Sequence, residues 1–242
     1  MEYNKSRVIE GKSILKYIGI FLFSNIILPG IFFAIIFGND IPYIAVIGSI
    51  WSTTLFFIVF CKREIETLFN NSISKIKSKL NTKKILFILI FGFLINVILS
   101  IFGSIMMSQE ISGKNKVSND LINDIAMYMK GNNYFTNAIM MLAIVISLGI
   151  LGPIIEEVVF RGLILQALMN KMNIVMAILI ESLLFSIFHS NLFQVIITFM
   201  FGILLSIVCI RFESIIASII LHIGFNMSFL LKILCTIILS KI

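Results

Sequence analysis

Long apolar runs are the feature of this sequence that most restricts its fold. Seven runs, separated by short polar turns, reach or approach the roughly 20 residues that a helix needs to cross a bilayer. They cover about 14–37, 41–61, 85–107, 137–170, 174–189, 193–210 and 214–239. The short alternating strands typical of a membrane barrel are not visible in the sequence. We therefore predict an all-α, polytopic integral membrane bundle of seven transmembrane helices, or eight if the chain reverses at Gly152-Pro153.

The composition agrees with a membrane protein and argues against a soluble domain. The chain is 59% hydrophobic and only 13% charged, with a mean hydropathy of +1.08, whereas soluble domains carry about 25% charged residues. A net charge of +7 does not imply a nucleic-acid partner, because basic residues of membrane proteins collect in cytoplasmic loops, and with no RNA- or DNA-binding signature in the sequence we expect no such partner. Three widely separated cysteines argue against a disulfide framework and a cysteine metal site.

The basic residues predict the orientation in the membrane. They are concentrated in the N-terminus and in the loop 62–84, so we place both in the cytoplasm of a multi-pass plasma-membrane protein. The loop 108–135 is balanced in charge and is expected on the outer side. Its apolar residues between 121 and 129 recur at helical spacing, which predicts a short helix on the outer membrane surface.

Three charged residues interrupt the fourth apolar run. Glu156, Glu157 and Arg161 follow Pro153, which is expected to kink or restart the helix. A charge at the bilayer centre costs roughly 2.5–3.5 kcal/mol on insertion scales and usually has a functional reason. A loop end at the membrane surface would explain the same charges without any function.

Helical geometry predicts that four polar side chains meet within the membrane. If the turn 171–173 is the base of a hairpin, Glu156 and His189 lie about 21 and 22 Å above it on adjacent helices. His222 and Asn226 lie about 12 and 18 Å above the base of the last helix and, as i and i+4, share one face. The matching heights favour a functional cluster over the loop-end interpretation.

The same geometry predicts supporting ion pairs around Arg161. Glu157 precedes Arg161 by four residues, which is the favoured order for a helical ion pair. Glu181 lies at a similar height on the facing helix and is expected to pair with Arg161 across the hairpin. We therefore assign Glu157, Arg161 and Glu181 a supporting role.

The predicted cluster suits the hydrolysis of a peptide bond. Glu156 would be the general base for a water molecule, which His189 would hold directly or through a metal. A neutral His222 and the Asn226 amide would stabilise the oxyanion. Glu156, His189 and His222 are also candidate ligands for Zn²⁺, and the residues leave metal and metal-free chemistry open. The sequence has no His-Glu-x-x-His, no Gly-x-Ser-x-Gly and no pair of intramembrane aspartates.

Taken together, these motifs resemble those of the CPBP family, which contains the type II CAAX prenyl endopeptidases (Rce1-like proteases) and the bacterial Abi proteins linked to bacteriocin self-immunity. The resemblance covers about 150–228 and rests on Glu156-Glu157-x-x-x-Arg161, Phe185-x-x-x-His189, Phe199-x-x-Gly202 and His222-x-x-x-Asn226. It implies an intramembrane endopeptidase, labelled a metalloprotease or a glutamate-dependent protease, with Glu156, His189, His222 and Asn226 as its active site.

The resulting hypothesis treats 1–242 as a single membrane domain. Residues 1–135 form an N-terminal three-helix part, and 136–242 form the catalytic CPBP/Abi-like core. The predicted substrate is a membrane-associated or lipidated peptide. The alternative is a non-enzymatic immunity or scaffold protein that binds a peptide or membrane partner in the same cavity. A transporter is disfavoured because no inverted repeats are visible.

Overall fold

The computed structural model of the chain describes residues 14–24, 42–109, 133–189 and 192–239. Apart from short turns, this described part is helical and contains no strand, as predicted. In chain order its helices are α1 (Ile14–Leu22), α2 (Pro42–Lys79), α3 (Thr82–Gln109), α4 (134–169), α5 (Ile174–Ser186), α6 (Leu192–Phe212) and α7 (Ile215–Leu239). The predicted continuation of the first helix to residue 37 and the outer-surface helix lie outside the described residues.

Three of these helices are long and apolar enough to cross a membrane. The spans are Thr82–Ile101 in α3, Phe135–Met169 in α4 and Gln194–Phe212 in α6. Helix α5 and the segment Ile215–Ser228 of α7 are shorter apolar helices. The described residues therefore form a helical bundle suited to a membrane, and the number of seven crossings stays a prediction.

The prediction of a basic loop at 62–84 is wrong for most of that segment, which is helical. Helix α2 continues to Lys79, and only Cys61 leaves helical geometry, with φ −131° and ψ 21°. The segment is polar on average, but Leu68 and Ser72 are buried one turn apart. The Ser72 hydroxyl accepts the backbone N–H of Ile215 at 3.3 Å, so tertiary contacts hold this stretch as a helix.

Helix α4 does not reverse at Pro153, and the alternative of eight crossings built on that reversal is wrong. It consists of five consecutive segments, Tyr134–Ile144, Val145–Leu151, Gly152–Glu157, Val158–Ile164 and Leu165–Met169, of which the second and fourth are π-helical. The Gly152 N–H donates to the Ser147 carbonyl five residues earlier. This wider turn accommodates the missing N–H of Pro153 inside a continuous helix.

Helix α5 ends at Ser186, so His189 lies in the following turn and not in the helix as predicted. The Ser186 hydroxyl bonds to the Leu183 carbonyl at 2.9 Å. The His189 N–H then bonds to the Ser186 carbonyl only three residues back, at 3.0 Å. These shorter bonds tighten and end the helix.

Helices α3 and α7 cross at two glycines with their backbones in contact. A Cβ on Gly224 would lie 2.1 Å from the Leu89 carbonyl oxygen, and a Cβ on Gly92 would lie 2.1 Å from the Leu221 carbonyl oxygen. Close approach through small residues is a common basis of helix packing in membranes. The N-terminal part of the chain thus places the helix that carries His222 and Asn226.

The turn between α6 and α7 is held from the side by α2. Glu213 adopts a left-handed φ of 52°, which is rare for a residue with a side chain. Its carboxylate pairs with Lys75 at 3.0 Å and also with Lys79. Hydrogen bonds from these two ammonium groups hold the pKa of Glu213 below its usual range.

Candidate active site

Arg161 is the centre of a buried ion cluster between α4, α5 and α6. Its Nη1 lies 3.0 Å from Glu157 Oε1, and its Nε lies 3.4 Å from Glu181 Oε1, with all three side chains fully buried. The predicted helical pair and the predicted pair across the hairpin are therefore both confirmed. Each of the two carboxylates therefore has the guanidinium as a partner, and neither lies alone inside the bundle.

The remaining contacts of Arg161 explain two other members of the sequence motifs. Its Nη2 donates to the Gly202 carbonyl oxygen at 3.2 Å, and its guanidinium carbon lies 4.4 Å from the centre of the Phe185 ring. A Cβ on Gly202 would lie 3.1 Å from Ser182 Cβ. Glycine at this position therefore lets α6 approach α5 closely enough for its carbonyl to reach Arg161.

Glu181 has two hydroxyl partners that the sequence analysis missed. Ser206 donates to Glu181 Oε2 at 2.6 Å, and Ser182 donates to the same oxygen at 3.4 Å. Both serines are fully buried. The sequence does show Ser206 as a polar residue in an apolar helix. It does not show how α6 is rotated, and that rotation brings Ser206 to Glu181 of α5.

His222 connects the buried cluster to Glu156. Its Nδ1 lies 2.8 Å from Glu157 Oε1, and its Nε2 lies 3.8 Å from Glu156 Oε2. The ring also lies edge-on to Phe201 and Phe185, with centroid distances of 5.4 and 6.0 Å. The imidazole is therefore fixed in orientation, with Nδ1 hydrogen-bonded to Glu157 and Nε2 facing Glu156 beyond hydrogen-bond distance.

The two adjacent glutamates differ in their exposure. The Glu157 side chain is fully buried, whereas that of Glu156 is 32% exposed. Consecutive helix residues point about 100° apart, which turns Glu157 toward Arg161 and leaves Glu156 at the edge of the cluster. Glu156 is consequently the carboxylate of the pair that is not enclosed by the bundle.

Asn226 lies one turn beyond His222 on α7, as predicted, and contacts the backbone of α4. Its Nδ2 donates to the Leu148 carbonyl oxygen at 2.9 Å. Leu148 belongs to the π-helical segment Val145–Leu151. The amide is thus held beside the site by a backbone group that the sequence analysis did not consider.

His189 is the one predicted site residue that this structure leaves apart from the others. Its ring contacts Phe185 edge-on at a centroid distance of 5.5 Å, and Phe185 also contacts His222. Among the described residues, His189 Nδ1 is buried without a hydrogen-bond partner. The predicted approach of His189 to Glu156 is therefore not seen, although both imidazoles border the same ring.

The donor arrangement does not fit the Zn²⁺ site that the sequence left open. Within the described part of the chain, no three histidine, cysteine, aspartate or glutamate side chains are placed to hold a metal ion together. Of the three candidate ligands, His222 has Nδ1 engaged by Glu157, and His189 contacts the Phe185 ring rather than Glu156 or His222.

The fold and the site together define a helical membrane protein. It has a buried carboxylate–guanidinium–imidazole cluster beside a partly exposed carboxylate. Residues 138–228, less than half of the chain, match the family model of the type II CAAX prenyl endopeptidase Rce1-like proteins. This match confirms the resemblance drawn from the motifs: residues 138–228 are similar to that family of proteases, within a chain whose apolar helices indicate a multi-pass membrane protein. Comparisons with curated proteins and with solved structures gave no match.

Proposed function

We propose that this protein is an intramembrane endopeptidase that hydrolyses a peptide bond in a membrane-associated or lipidated peptide, with Glu156 as the general base. The observation that carries the proposal is the division between the adjacent carboxylates. Glu157 is buried against Arg161 and His222, while Glu156 is 32% exposed and faces His222 Nε2. A general base must reach the proton that it removes, and only Glu156 meets this condition.

The contacts of His222 change the role expected from the sequence. Its pair with Arg161 keeps Glu157 ionised, and a carboxylate only accepts hydrogen bonds. Nδ1 must therefore carry the hydrogen in the 2.8 Å contact, which leaves Nε2 of a neutral His222 without one. A neutral His222 of this tautomer cannot donate to an oxyanion.

We propose a proton route that resolves this conflict. Glu156 removes a proton from water as the oxygen attacks the substrate carbonyl, and the proton passes to His222 Nε2. The imidazolium, stabilised by Glu157, then donates to the oxyanion and afterwards protonates the leaving amine. Each proton taken from water is thus returned to the product.

The other two predicted residues complete the proposed site. Asn226 uses one amide hydrogen on Leu148, so its second hydrogen is free to stabilise the oxyanion. His189 is proposed to hold the water or the peptide, and its buried Nδ1, which has no hydrogen-bond partner among the described residues, supports this role. This assignment requires the turn that carries His189 to move toward Glu156.

We further propose that the end of the bundle with Glu213 faces the cytoplasm. The exposed Lys171 and Arg211 lie at the hairpin turns of this end, and Lys75 and Lys79 lie beside Glu213. Such a concentration of basic residues is typical of the cytoplasmic side. In this orientation Glu156 lies in the half of the membrane away from the basic end, with 136–242 as the catalytic core.

Glu156→Gln tests the proposal because it keeps the size of the side chain and removes its basicity. Purified protein in lipid vesicles is given a quenched fluorescent peptide with a farnesylated CAAX terminus, and the same peptide without the lipid. Cleavage should fall by roughly 10²–10⁴-fold. The matched control is Glu66→Gln, at a surface glutamate whose side chain is 62% exposed, and it should cleave at the wild-type rate.

Two results would count against the proposal. A Glu156→Gln protein as active as wild type would show that Glu156 is not the base. If neither protein cleaves either peptide, membrane peptides of cells carrying wild type or Glu156→Gln are compared by mass spectrometry. Identical peptide sets would favour the non-enzymatic binding protein.

A further inference from the structure

The carbonyl group of Leu148 has lost both of its ordinary backbone donors. In an α-helix it would accept from the Gly152 N–H, but that group donates to Ser147. In the π-helical geometry of this segment it would accept from the residue five positions later, which is Pro153 and has no N–H. A carbonyl inside a protein needs a partner, and Asn226 Nδ2 supplies it at 2.9 Å.

We propose that Pro153 is a positioning residue that reserves the Leu148 carbonyl for Asn226. Because a carbonyl accepts only from the NH₂ end of an amide, this contact decides which end of the Asn226 side chain faces the site. The terminal torsion of asparagine is broad and roughly two-fold, so without this acceptor the amide is free to turn. The position of the Asn226 amide follows from these contacts alone. One consequence rests on the proposed function, namely that a turned Asn226 no longer stabilises the oxyanion.

Contacts around the π-helical segment Val145–Leu151 fix the position of the Leu148 carbonyl relative to Asn226. Ser147, which accepts the displaced Gly152 N–H, is fully buried, and its hydroxyl accepts the Trp51 Nε1–H at 3.1 Å. A Cβ on Gly149 would lie 2.6 Å from Leu230 Cδ1, so α7 packs directly on the segment one turn beyond Asn226. The acceptor and the amide are therefore on two elements that cannot shift far relative to each other.

Pro153→Ala returns the missing N–H to the backbone and tests the inference directly. The readout is the ¹H–¹⁵N signal of the asparagine side chains in ¹⁵N-asparagine-labelled protein in lipid nanodiscs, with Asn226 assigned by its loss in Asn226→Ala. In wild type, one Asn226 amide proton should be shifted downfield and exchange slowly with water. In Pro153→Ala both protons should move to the positions of a free amide.

Pro42→Ala is the matched control, because Pro42 is the first residue of α2, where a missing N–H has no helical acceptor to lose. It should leave the Asn226 signals unchanged. Unchanged Asn226 signals in Pro153→Ala itself would overturn the inference. A lower Tm of Pro153→Ala with unchanged signals would assign Pro153 a purely structural role, and this also overturns it.

A double-mutant cycle on the farnesylated peptide tests the consequence for catalysis. Pro153→Ala and Asn226→Ala should each lower kcat by roughly 10²-fold, the usual effect of losing one oxyanion donor, with KM unchanged. The double variant should lose no more than either single variant, whereas multiplied losses would contradict the inference. If Glu156→Gln proves fully active, the proposed function fails, and the amide signals still decide the role of Pro153.

Discussion

In the described part of the chain, two glutamates are each held by two basic side chains, and the two clusters differ in their exposure. Glu157 lies between Arg161 and His222 with no exposed surface. Glu213 lies between Lys75 and Lys79 with 37% of its side chain exposed. Inside the bundle a lost partner leaves a bare charge, whereas at the surface water replaces it. Loss of one partner should therefore destabilise the fold more at the buried Glu157 cluster than at the exposed Glu213 cluster.

Arg161→Met should produce the largest effect, because it leaves Glu157 and Glu181 buried without their shared cation. Breaking a buried pair from one side costs about 3–5 kcal/mol. The free energy of unfolding in mixed micelles measures the loss, with Lys79→Met as the matched control at no more than about 1 kcal/mol. Equal losses in the two variants would remove the distinction between the clusters.

Ser206→Ala should have the next largest effect. It removes the 2.6 Å hydrogen bond to Glu181 Oε2 and leaves that oxygen with only the longer 3.4 Å contact to the Ser182 hydroxyl. A hydrogen bond to a charged group contributes about 1.5–3 kcal/mol. Ser74→Ala, at an exposed serine that bonds to the Asn71 carbonyl at 2.7 Å, should change the same unfolding free energy by only a few tenths of the Ser206→Ala effect. A neutral Ser206→Ala would mean that Glu181 does not depend on this contact.

Gly224→Ala tests whether the buried cluster depends on the distance between α3 and α7. The new Cβ would overlap the Leu89 carbonyl oxygen, so α7 must move and carry His222 away from Glu157. Overpacking of this kind costs about 1–3 kcal/mol, and peptide cleavage should fall with it. Gly19→Ala is the control, since a Cβ at Gly19 meets nothing within 4 Å. Full activity of Gly224→Ala would show that α7 tolerates the shift.

Glu213→Gln should have the smallest effect, below about 1 kcal/mol for exposed pairs. Because the pKa of Glu213 is held below its usual range, its contribution is present above the ordinary glutamate pKa. The contribution is lost as the pH falls through the lowered value. Unfolding of wild type and Glu213→Gln should therefore differ at pH 7 and converge in acid. High salt should also reduce the difference, and a difference that persists in both conditions would contradict a surface role.

The sequence predicted most of the helices and the supporting ion pairs, for identifiable reasons. The ends of α3 and the turn at 171–173 follow from the length of the apolar runs and from the polar residues between them, which are local properties. Arg161 pairs with Glu157 and Glu181 because their heights are set by counting residues. The prediction of a loop at 62–84 failed because buried side chains such as Leu68 and Ser72 are too few there to show as a pattern.

Contacts that depend on helix rotation could not be predicted. Membrane helices such as α5 and α6 are apolar all round, so no polar stripe states which side faces a neighbour. For this reason Ser206 was missed, and Glu157 was not recognised as the partner of His222. The end of α5 before His189 depends on a serine hydroxyl that bonds to its own backbone, and periodicity carries no information about it.

By itself the sequence determined that this protein is a helical membrane protein with one set of polar residues inside its bundle. Apolar length and the order of the motifs suffice for that, because the cost of exposing polar groups to lipid acts on every segment separately. Only the tertiary structure decided which glutamate is buried, which nitrogen of His222 it holds, and that Asn226 rests on the Leu148 carbonyl. Those contacts join residues far apart in the chain, and they depend on crossings such as Gly92 with Gly224, where two backbones meet.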